Sequence, residues 1–157
     1  MKNRKAFTLI ELLVVVAIIG LLAAMAVVAL NNARAKARDA RRVSDVRQVQ
    51  TALEMYYLDQ NAYPALSFTT AGVIEGKKLC SVGGWTLAVG CSATTETTYM
   101  AVVPSAPLPI DGLCNATKNT YTYNTNASNS SYTIEYCLGS AVGSLAAGTR
   151  TATPAGL

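Results

Sequence analysis

The chain has 157 residues, of which 51% are hydrophobic and 14% charged, with no histidine and a formal net charge of +4. The lack of histidine removes the commonest general base and every Ser-His or Cys-His arrangement, so catalysis is not expected. Three of the 13 basic residues (Lys2, Arg4, Lys5) lie before Phe7, and beyond Pro64 four bases (Lys77, Lys78, Lys118, Arg150) meet four acids (Glu75, Glu96, Asp111, Glu135), which leaves that part neutral.

Residues 7–30 form an apolar run broken by one acid, Glu11. From Leu12 onward it holds 19 consecutive apolar or small residues, which at ~1.5 Å per residue span ~30 Å, one bilayer core. The run predicts a membrane-spanning helix. A cleaved secretory signal would need a small-x-small site such as Ala24 and Ala26, but the apolar run continues past both. A carboxylate in such a span costs about 2 to 3 kcal/mol, so Glu11 needs either headgroup water or a cationic partner.

Neither Gly nor Pro occurs between Leu21 and Tyr63, so nothing forces a break after the membrane segment. One helix is expected from about residue 7 to about residue 59, close to ~80 Å of chain at ~1.5 Å per residue. Val46, Val49, Leu53 and Tyr56 or Tyr57 recur at spacings of three and four, an apolar stripe that should pack on a domain formed by the second half of the chain. Six bases (Arg34, Lys36, Arg38, Arg41, Arg42, Arg47) accompany Asp39 and Asp45. A solvated or headgroup face is the first expectation for such a run, with contacts to acids of neighbouring subunits or to nucleic acid as alternatives. Counted under the positive-inside rule, these bases would place the second half of the chain in the cytosol. The four cysteines and the polar composition of that half favour the outside.

Past "NAYPAL" the chain turns irregular. "TTYMAVVP" reads as a strand ended by Pro104, and "PSAPLPIDG" as a proline-punctuated loop. "NTYTYNT" and "SSYTIEYCL" are alternating runs joined by a turn over residues 126–130. Tyr121 and Tyr123 share one face, as do Tyr132, Ile134 and Tyr136, which predicts a small antiparallel sheet with its tyrosine face on the helix stripe. The tail "GSLAAGTRTATPAGL" is expected to be loop. The fold class is therefore α+β: a long amino-terminal helix packed on a small antiparallel sheet.

The cysteines Cys80, Cys91, Cys114 and Cys137 include no C-x-x-C pair, a poor match to a metal site, so two disulfides are expected. Three pairings exist, and sequence order favours Cys80 with Cys91 and Cys114 with Cys137. Asn115, Asn126 and Asn129 open N-x-S/T triplets, which arise by chance in so Thr/Ser/Asn-rich a chain.

The stretch "KAFTLIELLVVVAIIGLLAAMA" resembles the amino terminus of the type IV prepilin and pseudopilin family over residues 1–30. The resemblance implies cleavage between Ala6 and Phe7 by a prepilin peptidase, N-methylation of Phe7, and pairing of Glu11 with the terminal amine of a neighbouring subunit. Gly20 would be the place of helix flexibility. Ala6 stands where most relatives have Gly, and Val28 where many filament-forming pilins have Pro. The implied parts are a leader at 1–6, a membrane and filament-core helix at 7–30, its amphipathic continuation at 31–63 and a globular β domain at 64–157. The implied function is a pilin: a non-enzymatic, cofactor-free subunit held in the cytoplasmic membrane, then polymerised with copies of itself into a surface filament by a pilus machinery. Two alternatives stand within the family, a type II secretion pseudopilin, towards which "YYLDQNAYP" leans, and a DNA-uptake pilin. Major pseudopilins bind calcium in an acidic carboxy-terminal loop, and this chain has only Asp111 and Glu135 beyond position 100. A merely anchored adhesive or DNA-binding module is the rival from outside the family.

Overall fold

The computed structural model describes residues 7–66, 72–87, 91 and 96–157. One helix, α1 (Leu9–Gln60), precedes six strands: β1 (Lys77–Cys80), β2 (Gly84–Leu87), β3 (Thr98–Met100), β4 (Thr122–Thr125), β5 (Tyr132–Leu138) and β6 (Gly148–Ala152). Two compact units divide the chain, one ending at Arg34 and the other covering Ala35–Leu157.

Local chemistry sets both ends of α1. Thr8 precedes its first residue and Glu11 lies three residues later, the S/T-x-x-E spacing of a capping box. At the other end Asn61 takes a left-handed conformation (φ 54°) and donates its amide to the Tyr57 carbonyl at 2.8 Å, an αL cap that turns the chain towards Pro64. The expected helix is present, within two residues at its start and one at its end.

Within the second unit the strands form two antiparallel sheets, ordered β2-β1-β3 and β4-β5-β6, where the sequence predicted one. The β1–β2 hairpin pairs Cys80 with Gly84 across a three-residue turn. Gly83 and Gly84 both have positive φ there (83° and 62°), which glycine adopts without steric cost. The strand expected in "TTYMAVVP" is shorter than its sequence suggested, only β3. The expected β4–β5 hairpin is present, with Tyr123 opposite Ile134.

The tail corrects the sequence reading. It is not simply loop: β6 pairs with β5 from Ile134–Ala152 to Leu138–Gly148, and Ala152 is fully buried. The ladder needs only backbone groups, so small and polar residues suffice for this edge strand.

The core lies between the helix stripe and the tyrosine faces. Val46, Val49 and Leu53 are buried with Tyr121, Tyr123, Tyr132, Ile134, Tyr136 and Leu138. Trp85 meets Tyr123 edge-on at 5.6 Å, and Tyr63 meets Tyr132 likewise at 4.7 Å. Buried tyrosines need partners for their hydroxyls. Helix acids supply two: Tyr121 donates to Asp45 (3.0 Å) and Tyr63 to Glu54 (3.0 Å), while the half-buried Tyr99 donates to Asp59 (2.7 Å). Burial, then the Glu54 carboxylate, pushes the Tyr63 hydroxyl up to about 12. The disulfides are Cys80–Cys91 and Cys114–Cys137, the pairing that sequence order favours.

Candidate assembly site

The first turn of α1 holds the acid that interrupts the apolar run. The Thr8 amide donates to Glu11 Oε2 at 3.0 Å and the Thr8 hydroxyl to the same oxygen at 2.7 Å, while the Glu11 amide donates back to the Thr8 hydroxyl oxygen at 3.3 Å. Glu11 Oε2 thus satisfies a donor that the helix start leaves without an intrahelical acceptor. Among the described residues Oε1 has no partner, which leaves one carboxylate oxygen for a second donor. Thr8 does not stand out in the sequence as a site residue, although T-L-I-E carries the capping-box spacing.

Beyond this turn the helix surface is hydrocarbon on every side. Phe7 is 84% exposed, and Ile10, Leu13, Ile18, Leu22, Met25 and Val28 all lie open. The most apolar 18-residue window has a mean hydropathy of 3.1 and none of it is buried. A helix apolar all round belongs in lipid or among other helices. A Cβ on Gly20 would meet nothing within 4 Å, so no packing within the chain demands glycine there.

Most of the basic run after Arg34 forms the solvated face that the sequence suggested, with Arg34, Lys36, Arg41 and Arg47 exposed, but Arg38 and Arg42 turn towards the loops. Arg42 and Asp39 are fully buried, joined Nη1 to Oδ1 at 2.7 Å. Asp39 also accepts the Gly139 amide (2.8 Å), the Ser140 amide (2.8 Å) and the Ser140 hydroxyl (2.7 Å). Arg42 Nη2 donates to the Pro107 carbonyl and to Asn119 Oδ1, both at 2.9 Å. Such a pair is tolerable only with its remaining hydrogen-bonding groups largely satisfied. One turn earlier, Arg38 forks onto Asp111 through Nε and Nη2, the latter 2.6 Å from Oδ1. Its guanidinium holds the Asp111 carboxyl below the usual carboxylate range.

These loops reach the helix because they touch each other. Gly112 has φ +56°, and a Cβ there would fall 2.0 Å from the Gly139 carbonyl oxygen. The Cys114–Cys137 bridge ties the same two segments covalently. Asp39 and Arg42, spaced i and i+3, were the legible part of this clasp; their loop partners were not.

Asp111, one of the two acids considered for a cation site, is therefore engaged by Arg38. Cys80, Cys91 and Glu96 also come together, but both sulfurs are bonded to each other.

Residues 1–27 match the family model described as the prokaryotic N-terminal methylation motif. The chain is similar to the type II secretion system core protein G of Pectobacterium carotovorum, 42% identical over 63 residues, 40% of each chain. The protein of the same name from Escherichia coli is 37% identical over 77 residues, 49% of this chain and 53% of that one. The type IV wide pilus major component PilA4 of Thermus thermophilus is 44% identical over 63 residues, 40% of this chain and 48% of that one. The chain spans about half or less of the length of these curated relatives. No solved structure matches it. The resemblance read from the amino-terminal residues agrees with the matched motif and with these relatives.

Proposed function

We propose that the chain is a structural subunit of a type IV pilin-like filament, cut between Ala6 and Phe7, N-methylated at Phe7 and polymerised through residues 7–30. One observation carries the reading: an apolar helix surface open on all sides begins at a carboxylate with one oxygen unpartnered among the described residues. In lipid and then in a bundle of like helices, that surface stays out of water throughout. In this reading the second oxygen of Glu11 takes the Phe7 amine of a neighbouring copy, so two ionic groups that are each costly in hydrocarbon offset one another. Before assembly the membrane segment holds the subunit in the cytoplasmic membrane with the disulfide-bonded domain outside, an oxidising side. The prepilin peptidase and an assembly machinery are its other partners. Its role needs neither cofactor nor catalysis.

A pseudopilin of a type II secretion system is the second reading, favoured by the names of the two core protein G relatives. The ion pair of Asp111 with Arg38 speaks against a calcium loop of the major-pseudopilin kind.

Intact-mass and amino-terminal analysis of material sheared from the surface of the native host tests the proposal. Filaments whose subunit begins at methylated Phe7 are expected. Processed chain confined to the envelope would move the reading to the pseudopilin, and an uncut amino terminus would remove both.

A further inference from the structure

The chain has nine acidic residues, and one stands apart. Glu11, Asp39, Asp45, Glu54, Asp59, Glu75 and Asp111 each accept a hydrogen bond or ion pair, and Glu96 is also engaged. Glu135 is exposed in the middle of β5, between Thr122 on β4 and Thr151 on β6, with no ion pair or hydrogen bond to a described side chain. Lys118 lines the same small cleft but makes no ion pair with it.

On the other side of this sheet the imbalance is reversed. Tyr136, the next residue of β5, points inward and is 1% exposed, yet its hydroxyl has no partner among the described residues; neither does the buried Nε of Arg150 on β6. Arg47, exposed on α1, makes no ion pair or side-chain hydrogen bond among the described residues, and both it and Arg150 lie near enough for their charges to act on that hydroxyl. No acid does so. Arg47 lines an open groove of about 360 Å³ with Ala40, Val43, Ser44, Val142 and Leu145, room for a carboxylate side chain.

We propose that this groove is a docking site for a second copy of the chain, with Glu135 of one copy seated against Arg47 of the next. Within one copy the β4-β5-β6 sheet stands between the two charges. A contact between them therefore joins two molecules, and with acid and groove on opposite sides of the sheet it is head to tail. A head-to-tail contact whose rotation does not close builds an open helical array. Each copy uses its acid on one neighbour and its Arg47 on the other. The proposal rests on the filament reading and gives it a second contact, outside the apolar helix.

The test is a charge exchange in the full-length chain in its native host, read as the yield of sheared filaments at equal subunit level in the membrane. Arg47→Glu and Glu135→Arg should each lower the yield about tenfold by bringing like charges together, and the double exchange should restore most of it. Indifference of either single variant, or a double variant no better than the singles, overturns the contact. If the wild type itself gives no filament, the filament reading falls and the contact with it; a normal wild-type yield with indifferent variants fails the contact alone. As a measurement independent of charge, chains carrying both Arg47→Cys and Glu135→Cys should form a ladder of disulfide-linked multimers on mild oxidation of the filaments, and monomers only would overturn the proposal.

Discussion

Residues 9–30 and 35–60 belong to one helix, yet they were built for different surroundings. The first stretch is apolar on every side and wholly exposed within the chain. In the second, one stripe of valine and leucine is buried, the acids Asp45, Glu54 and Asp59 receive tyrosine hydroxyls, and Asp39 and Arg42 are sealed in a clasp of loops. Backbone continuity therefore says little about what stabilises a helix. The first stretch finds no packing partner among the described residues of the chain; the second gets its partners from strands and loops up to 103 residues away. Substitutions in the two stretches should accordingly be separable, one class changing assembly and the other changing stability.

Glu11→Ala should give the largest effect of the first class: loss of sheared filaments, with no change in the unfolding midpoint of the folded domain. The single tryptophan, Trp85, is 1% exposed, so its fluorescence in the detergent-solubilised chain reports that midpoint. A domain destabilised by this change would break the separation. In the second class, Arg42→Ala leaves the Asp39 carboxylate buried without its cation and should cost about 3 to 5 kcal/mol in denaturant unfolding. Replacing Cys114 and Cys137 by serine opens the link between the two clasp loops and should cost about 3 kcal/mol in the same measurement.

The smallest effect is one of pH. Arg38 lowers the Asp111 carboxyl in the folded chain, so its stabilisation is fully present above the ordinary aspartate value of about 4 and is lost as pH falls through the lowered one. Asp45 acts in the opposite sense. Burial raises its carboxyl, against the Tyr121 hydrogen bond, so its cost to the fold is present at neutral pH and is relieved as pH falls through the raised value. Asp111→Asn should therefore lower stability at pH 7 and flatten its loss towards acid. An unchanged acid limb would show that the Arg38 pair contributes nothing.

The sequence was legible where a signal repeats locally. α1 follows from the absence of Gly and Pro, and the β4–β5 hairpin from tyrosines alternating on either side of an Asn/Ser turn. The capping box of Thr8 and Glu11 was missed, although T-L-I-E carries its spacing. β6 was not legible, because "GTRTA" has no run of large residues and pairs through its backbone alone. The β1–β2 hairpin is four residues a side, too short for a period to show. The charges of the clasp gave the wrong impression for a different reason. A basic run is solvated unless something distant covers it, and here the cover comes from residues 107, 111, 119, 139 and 140. Only the i,i+3 pairing of Asp39 with Arg42 hinted that two of these charges could be taken out of water.

The position of that clasp also has a mechanical meaning. A pull entering the folded unit along the chain at Ala35 meets residues 38–42 within two helical turns, before it reaches the valine and leucine stripe. The bonds of Arg38, Asp39 and Arg42 end on two loop segments that are covalently joined by Cys114–Cys137 and pressed together at Gly112 and Gly139. Load is thus shared among several short bonds on a stapled base instead of passing to them in turn. Breaking the staple should convert a simultaneous rupture into a sequential one, at lower force, even where the resting fold looks the same.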